Sequence, residues 1–248
     1  MVMPPVDYLD CGGRRVALRL FRPPQRGATP RASVLFVHGW TGAQDANDVR
    51  LARVLARDGF LCLSFDLGGH GLSDGQLLEF TLEEFLAQTR AAFDWLAQAG
   101  GGGSPIAVCG CSLGGYLSML LARERPVAAL SLRVPANYPD AIFSGPPVGT
   151  YIESGASRAW RSEPRTSADN RALAALHDFA GPIELIAAGR DESIPLQTIR
   201  NFVAAADANR IDYHLLQEAT HTLYEIPAMG KLSFRLLRNW LLDLWPEP

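Results

Sequence analysis

The sequence is short of three things that would point to a nucleic-acid or membrane partner: basic charge, long apolar runs and a leader-like start. Over 248 residues, 23 lysines and arginines face 26 aspartates and glutamates, which gives a formal net charge of −3 at pH 7. Phosphate binding needs clustered cations, so we expect no nucleic-acid partner. No apolar run is long enough to cross a bilayer, and the opening MVMPPVDYLD does not resemble a secretory signal. We therefore expect no membrane partner either.

Cysteine is also scarce. There are four cysteines, Cys11, Cys62, Cys109 and Cys111, and three of them lie in apolar, strand-like runs where a reduced cysteine behaves as a small hydrophobe. Cys109 and Cys111 form a C-x-C pattern, but no second pair of cysteines or histidines stands at zinc-like spacing. The sequence predicts a reduced, cytoplasmic protein without a metal site.

Strand and helix patterns alternate along most of the chain. The 48% hydrophobic and 20% charged content suits a globular protein with a sizeable core. Predicted strands cover residues 14–21, 33–39, 61–66, 105–111, 127–134, 182–189 and 212–217. Predicted helices cover residues 45–59, 81–100, 113–124, 196–208 and 231–245. This alternation predicts an α/β fold with a mostly parallel sheet of about eight strands, covered by helices on both faces. The first two predicted strands have no helix between them, so we expect them to form an antiparallel edge.

One segment, residues 135–181, is far longer than an ordinary connection between a strand and the next strand. It is rich in proline and follows the predicted strand 127–134, the sixth in a sheet of about eight, at the sheet edge where parallel folds bind ligands. We interpret it as a small cap of one or two short helices inserted within a single domain that spans residues 1–248. Its aromatic residues are candidates to line a substrate pocket, although they could equally pack the cap onto the body: Tyr138, Phe143, Tyr151 and Trp160.

The stretch GCSLG, Gly110 to Gly114, fits the pattern G-x-S-x-G and lies between a predicted strand and a predicted helix. In that context a tight turn lifts Ser112 clear of the sheet edge, and the two glycines let the strand and the helix approach closely. The start of the helix also favours developing negative charge. Ser112 is therefore the candidate nucleophile; the alternative is a glycine-rich turn whose serine only caps the helix.

A serine nucleophile needs a base, since its hydroxyl is protonated at neutral pH. His221 stands just after the last predicted strand, on a loop that emerges at the same sheet edge as Ser112, and it is the candidate base. The other histidines are assigned to packing, to the surface or to structural hydrogen bonds: His38, His70, His177 and His214.

The base in turn needs an acid that fixes its tautomer. Asp191 follows a buried strand at the same edge, and the chain order serine, aspartate, histidine is the order expected for this architecture. Its neighbour Glu192 is a possible stand-in. Asp191 could instead cap the helix that begins near Pro195, or pair with Arg190.

An acyl-transfer site also needs donors for the oxyanion. The backbone N–H of Leu113, which follows the candidate nucleophile, is one. The N–H of Trp40, in the loop HGWTG, is the second, and Gly39 allows that backbone to turn inward. The alternative is a glycine-rich turn without a special task.

Taken together, these motifs resemble the α/β-hydrolases, in particular single-domain serine esterases and peptidase-like members such as dienelactone hydrolases and acylaminoacyl peptidases. The resemblance runs through SVLFVHGWTG, DLGGHGLSDG, GCSLGG, GRDESIP and ATHTL. It implies a nucleophile at Ser112, an acid at Asp191, a base at His221 and an oxyanion donor at Trp40. The sequence departs from such relatives at Gly68, where arginine is common.

The resemblance implies a serine hydrolase that cleaves a carboxylic ester through an acyl-enzyme, with a small ester or acyl substrate and no cofactor. The same residues would serve a thioesterase, an amidase or peptidase, or an acyltransferase. Cys111 precedes the candidate serine where relatives often carry a larger side chain, but no catalytic part is missing. The alternative from another class is a ligand-binding protein that keeps the fold without turnover.

Overall fold

A single sheet organises the protein, whose computed structural model describes residues 3–24, 29–43 and 46–247. Within these ranges the sheet has eight strands in the order β1-β2-β4-β3-β5-β6-β7-β8. The strands are β1 (Asp7–Cys11), β2 (Arg14–Phe21), β3 (Ser33–Val37), β4 (Leu61–Phe65), β5 (Ile106–Cys111), β6 (Val127–Arg133), β7 (Ile183–Ala188) and β8 (Ile211–Leu216). All seven predicted strands are present, and β1 is additional.

The antiparallel edge is real, but the predicted pairing within it is wrong. Strand β2 pairs with β1 on one side and β4 on the other, both antiparallel, and it does not pair with β3. The hairpin between β1 and β2 turns on Gly12 and Gly13, with φ of 69° and 83°. Two adjacent residues with positive φ suit a tight hairpin turn, and this Gly-Gly signal was available in the sequence. From β4 across to β8 every pairing is parallel.

Helices cover both faces of the sheet. They are α1 (Ala46–Arg57), α2 (Leu82–Ala99), α3 (Leu113–Leu121), α4 (Val148–Glu153), α5 (Ala156–Arg161), α6 (Arg171–Asp178), α7 (Leu196–Ala205) and α8 (Pro227–Leu244). Strand β3 shows how the faces divide: Leu35 and Val37 belong to the core cluster that includes residues of α2, α3, α6 and α7, whereas Val34 and Phe36 belong to the cluster that includes residues of α1 and α8. All five residues of β3 are buried, as expected for a strand covered on both sides.

The helix boundaries follow local signals. Thr81 caps α2: its Oγ1 accepts from the N–H of Glu84 at 3.2 Å, and the Glu84 carboxylate accepts from the N–H of Thr81 at 2.8 Å. The predicted start of the first helix, Asp45, lies outside the described residues. Among the helices described, none is long and apolar enough to span a membrane.

The segment 135–181 contains three helices, α4, α5 and α6, where the sequence predicted one or two. Helix α6 packs against α3 and α7 and belongs to the helical layer of the body. Helix α4 packs against α5 and against the short 3₁₀ turn Leu77–Glu79. That this segment acts as a cap stays a prediction.

A row of polar side chains crosses the sheet beneath α1 and α8. Cys109, Ser131, Glu184 and Asp212 occupy the same register on β5, β6, β7 and β8. Ser131 Oγ donates to Glu184 Oε2 at 2.7 Å, and Trp240 Nε1 donates to Asp212 at 3.1 Å. Glu184 is fully buried, and burial raises its pKa to about 7. This carboxyl group therefore titrates near neutral pH.

Candidate active site

Ser112 lies at the turn from β5 into α3 with φ 52° and ψ −114°. Such a backbone costs a non-glycine residue on the order of 1–3 kcal/mol and persists only where the surroundings fix it. Here the N–H of Ser112 donates to Arg133 O at 3.0 Å, and its carbonyl accepts from Ala136 N and Gly115 N, both at 3.0 Å. The strained turn is thus held by the end of β6 on one side and by α3 on the other.

Two glycines make this turn possible. A Cβ on Gly110 would lie 2.4 Å from both Gly114 O and Ser118 Oγ, and a Cβ on Gly114 would lie 2.0 Å from Val37 O. Real side chains do not occupy such distances, so any larger residue would push α3 away from the sheet. The close approach predicted for these two glycines is confirmed.

The structure brings the candidate base and acid to Ser112. His221 Nε2 lies 3.1 Å from Ser112 Oγ, and His221 Nδ1 lies 2.8 Å from Asp191 Oδ2. The other carboxylate oxygen of Asp191 accepts from Ser193 N at 2.8 Å and Ile194 N at 2.7 Å. Because the carboxylate accepts a hydrogen bond from Nδ1–H, the proton of the neutral ring stays on Nδ1 and Nε2 is the nitrogen that can accept the serine proton.

The structure gives the alternatives for the acid and for its partner other contacts. Glu192 is exposed, and its main-chain carbonyl accepts a hydrogen bond from Arg158. Arg190 pairs with Glu218 and not with Asp191. Asp191 also accepts hydrogen bonds from the turn that leads into α7. The same carboxylate thus makes both the contact with the candidate base and the contact expected of a helix cap.

The loops that carry the acid and the base are joined by their main chains. Arg190 N donates to Ala219 O, and Gly189 N donates to Leu216 O, both at 2.9 Å. These bonds extend the pairing of β7 and β8 beyond the strand ends. The distance between Asp191 and His221 is therefore set by backbone pairing and not by side-chain packing alone.

The loop after β3 orients one candidate oxyanion donor. His38 Nε2 accepts from Leu67 N at 2.9 Å, so its proton sits on Nδ1, which donates to Gly39 O at 2.8 Å. Gly42 N donates to the same carbonyl at 3.0 Å. In a trans peptide the C=O and the following N–H point in opposite directions. The Trp40 N–H therefore points away from the His38 ring.

Both candidate donors flank Ser112. A Cβ on Gly39 would lie 3.1 Å from Ser112 Cβ, so the peptide between Gly39 and Trp40 runs beside the serine. Leu113 is the first residue of α3, and the first N–H groups of an α-helix have no acceptor within the helix. The geometry can offer both N–H groups to an oxygen bound at Ser112.

His70 has the structural surroundings expected for it. Its Nδ1 donates to Gly68 O at 2.9 Å, and its ring meets the Trp40 ring edge-on at 5.7 Å. Burial, together with the neighbouring His38, lowers the pKa of His70 to about 4, so it stays neutral. On its other side the Trp40 ring contacts α4, since a Cβ on Gly149 would lie 2.8 Å from Trp40 Cη2.

Of the four aromatic pocket candidates, Tyr138 is 1% exposed and belongs to the core. Its ring meets Tyr116 edge-on at 5.0 Å, and the Arg161 guanidinium lies 4.7 Å from its centre. Tyr138 therefore packs the segment 135–181 onto the body, which is the alternative given above for these aromatic residues.

The other three aromatic candidates are half-buried. Phe143 lies under the Arg171 guanidinium at 4.0 Å, and Trp160 lies under Arg165 at 4.1 Å. Tyr151 donates to the carbonyl of Ala156, at the start of the next helix, at 3.5 Å. A contact of these rings with substrate stays a prediction.

The sequence analysis missed a buried ion pair beneath the turn. Arg133, 2% exposed at the end of β6, donates through Nη2 to Asp48 at 2.9 Å and through Nη1 to the Tyr224 hydroxyl at 3.3 Å. Tyr224 follows His221 by three residues, so this network ties α1, β6 and the loop of the candidate base together. The arginine within the apolar run VAALSLRV was the available signal.

Within the described ranges, no three His, Cys, Asp or Glu side chains gather in a group that could hold a metal ion. None of the four cysteines forms a disulfide within the described residues. A hydroxyl, an imidazole and a carboxylate in one hydrogen-bonded chain, with two backbone donors beside the hydroxyl, are groups that can support nucleophilic acyl transfer.

Comparison with known proteins gives one family and a fold. The family model described as serine aminopeptidase, S33, matches residues 28–163, more than half of the chain. A carboxylesterase of Bacillus subtilis is 32% identical over 99 residues, which are 40% of this chain and 39% of the relative. An uncharacterized protein of Mycobacterium tuberculosis is 30% identical over 200 residues, 78% of this chain and 64% of the relative. The chain thus spans less than two thirds of either relative's length.

Among solved structures, Est1E from Butyrivibrio proteoclasticus with bound ferulic acid superimposes with a TM-score of 0.74 at 20% identity. The match covers 96% of this chain and 98% of that one. This likeness confirms the predicted fold, a mostly parallel eight-stranded sheet flanked by helices.

Proposed function

The chain belongs to the serine aminopeptidase S33 family of α/β-hydrolases, and we propose from this premise that it hydrolyses a carboxylic ester. The observation that carries the proposal is the hydrogen-bonded chain from Ser112 through His221 to Asp191, with distances of 3.1 and 2.8 Å. Two similarities favour an ester: the Bacillus relative is named a carboxylesterase, and Est1E was solved with ferulic acid, a carboxylic acid.

In the proposed acylation, Ser112 Oγ attacks the ester carbonyl while its proton passes to His221 Nε2. Asp191 stabilises the imidazolium that forms. The carbonyl oxygen becomes negative and accepts hydrogen bonds from the N–H groups of Trp40 and Leu113. When the tetrahedral intermediate breaks down, the C–O bond to the alcohol breaks, and His221 gives its proton to the departing oxygen. The acyl group then remains on Ser112.

Deacylation repeats these steps with water in place of serine. His221 takes a proton from the attacking water, a second tetrahedral intermediate forms, and its breakdown releases the acid. The same histidine returns its proton to Ser112 Oγ, which restores the starting state.

The family description favours a second candidate, cleavage of an amide in an aminoacyl or peptide substrate. The same residues would act, with His221 protonating a departing amine. Rates on a matched para-nitrophenyl ester and aminoacyl para-nitroanilide separate the two candidates. Thioesters and acyl transfer to an added alcohol belong in the same panel.

The direct test is labelling with a fluorophosphonate. We expect a single covalent adduct on Ser112 and loss of both the label and ester hydrolysis in Ser112→Ala, because the Ser112 hydroxyl is hydrogen-bonded to His221 Nε2. Exposed Ser154 offers a matched control, since Ser154→Ala removes a hydroxyl outside the site. A label on neighbouring Cys111, or full activity in Ser112→Ala, would refute the proposal.

A further inference from the structure

Two arginines are buried within the described part of the chain, and they differ in their partners. Arg133 is 2% exposed and lies 2.9 Å from the carboxylate of Asp48. Arg161, the last residue of α5, is 6% exposed, yet no aspartate or glutamate among the described residues lies within ion-pair distance of it. Burying a cation without a neighbouring anion costs folding free energy, so a buried arginine without a carboxylate partner is unusual in a folded protein.

The groups that contact the Arg161 guanidinium are neutral. Nε donates to Asn137 O at 2.9 Å, and the guanidinium carbon lies 4.7 Å above the Tyr138 ring, whose hydroxyl also interacts with the charge. A guanidinium carries five N–H donors, more than these neighbours use. Apart from this interaction with Tyr138, the bond from Nε is the one hydrogen bond that the donors of this guanidinium make within the described residues, and neither Nη atom is among the fully enclosed polar atoms that lack a partner. Donors on the Nη side therefore remain for a ligand.

Main-chain bonds place this arginine near Ser112. The N–H of Ala136 donates to Ser112 O at 3.0 Å, and the next residue, Asn137, accepts from Arg161. Backbone dimensions then put Arg161 Nε no farther than about 13 Å from the Ser112 carbonyl oxygen. The carbonyl of Arg161 accepts from Thr198 Oγ1 at 2.8 Å, in the helix that follows the Asp191 loop. Arg161 is thus held between the segment that follows β6 and the helix α7, which follows the Asp191 loop.

We propose that Arg161 binds a free carboxylate of the substrate, so that the preferred substrates are small esters that also carry a carboxylate. This inference rests on the function proposed above. A planar guanidinium accepts a carboxylate through two parallel N–H···O bonds, which would supply the missing anion and fix the ester relative to Ser112. The Tyr138 ring and Asn137 carbonyl hold the guanidinium in place before the substrate arrives.

The first test compares matched esters on the wild-type protein. Para-nitrophenyl hydrogen glutarate carries the carboxylate on the acyl side, and para-nitrophenyl valerate is its neutral counterpart. Para-acetoxybenzoate and para-tolyl acetate form the same pair on the alcohol side. After correction for spontaneous hydrolysis, we expect kcat/KM to be about tenfold or more higher for the charged member of one pair. Equal or lower values for the charged member of both pairs would overturn the inference.

The second test uses variants. Arg161→Met should lower kcat/KM for the preferred charged ester by about tenfold or more and leave the neutral ester nearly unchanged, while Arg161→Lys restores part of the preference. Arg165→Met is the matched control, because Arg165 pairs with Glu163 and stacks on Trp160; it should keep the preference. Equal losses on both esters in Arg161→Met would assign a structural role and overturn the inference.

A binding measurement covers the case in which Arg161→Met does not fold. Monomethyl glutarate should raise the melting temperature of Ser112→Ala, whereas methyl valerate should not, and no shift with either would overturn the inference. Hydrolysis without a preference for charge refutes only the role of Arg161. Hydrolysis that survives Ser112→Ala, or no hydrolysis at all, refutes the proposed function instead.

Discussion

Glu184 should make the protein less stable as the pH rises through neutrality. This carboxyl group is fully buried on β7, and burial raises its pKa from 4.5 to about 7, with a further rise from nearby Asp212. The hydrogen bond from Ser131 and the charge of Arg133 oppose the rise. Because the folded pKa lies above the unfolded value, the folded state holds the proton more tightly. The resulting stabilisation is fully present below about pH 4.5 and is lost as the pH passes about 7.

The magnitude follows from the size of the shift. Each pKa unit corresponds to about 1.36 kcal/mol, so the shift of Glu184 changes the free energy of unfolding by at most about 3 kcal/mol. Glu184→Gln keeps the shape and an oxygen for Ser131 but cannot ionise. Relative to wild type, its free energy of unfolding should therefore rise by up to about 3 kcal/mol between about pH 5 and about pH 9.

Urea denaturation at constant ionic strength, followed by circular dichroism at several pH values, measures this difference directly. Glu153→Gln, on the exposed side of α4, is the control and should differ from wild type by the same amount at every pH. A difference between Glu184→Gln and wild type that stays constant with pH would refute the reasoning, and so would one that shrinks toward alkaline pH.

Two further predictions concern the candidate site. Asp191→Asn should fold normally yet lower kcat by roughly 10⁴-fold, since the imidazole loses the carboxylate that fixes its tautomer, while Glu192→Gln should stay near wild type; steady-state ester kinetics check both, and the reverse order would move the acid to Glu192. Gly114→Ala should destabilise the protein strongly, because its Cβ would lie 2.0 Å from Val37 O, whereas Gly103→Ala, with nothing within 4 Å, should not; melting temperatures of the two variants decide this.

The strand order shows where sequence patterns lose information about the fold. Each buried strand is a continuous apolar run because both of its faces are covered, so its periodicity says that it is central but not which strand lies beside it. Sequence adjacency therefore suggested that β2 pairs with β3, whereas β2 pairs with β4. Strand β1 was missed because DYLDC is short, polar and mostly exposed.

Some residues of the candidate site could be predicted from the sequence, and others could not. Ser112, Asp191 and His221 were predictable because each follows a strand-like run, and the carboxyl ends of parallel strands share one edge. Arg161 was not, since ASRAWR gives no sign of burial until the segment 135–181 is folded onto the body. Tyr138 was predicted as a pocket candidate, but its ring packs into the core because the chain turns back toward α3 immediately after β6.

The joined loops after β7 and β8 have a consequence for how activity is lost under stress. Strand β8 is one of the two edge strands of the sheet and pairs with β7 alone among the described strands, whereas Ser112 follows a central strand. Edge elements with few partners open locally at a lower free-energy cost than the whole protein unfolds. The bond from Arg190 N to Ala219 O makes the loops of Asp191 and His221 one cooperative unit. Partial opening at this edge would therefore separate the candidate base from Ser112 while most of the sheet stays folded, so the proposed ester hydrolysis should be lost before the sheet unfolds.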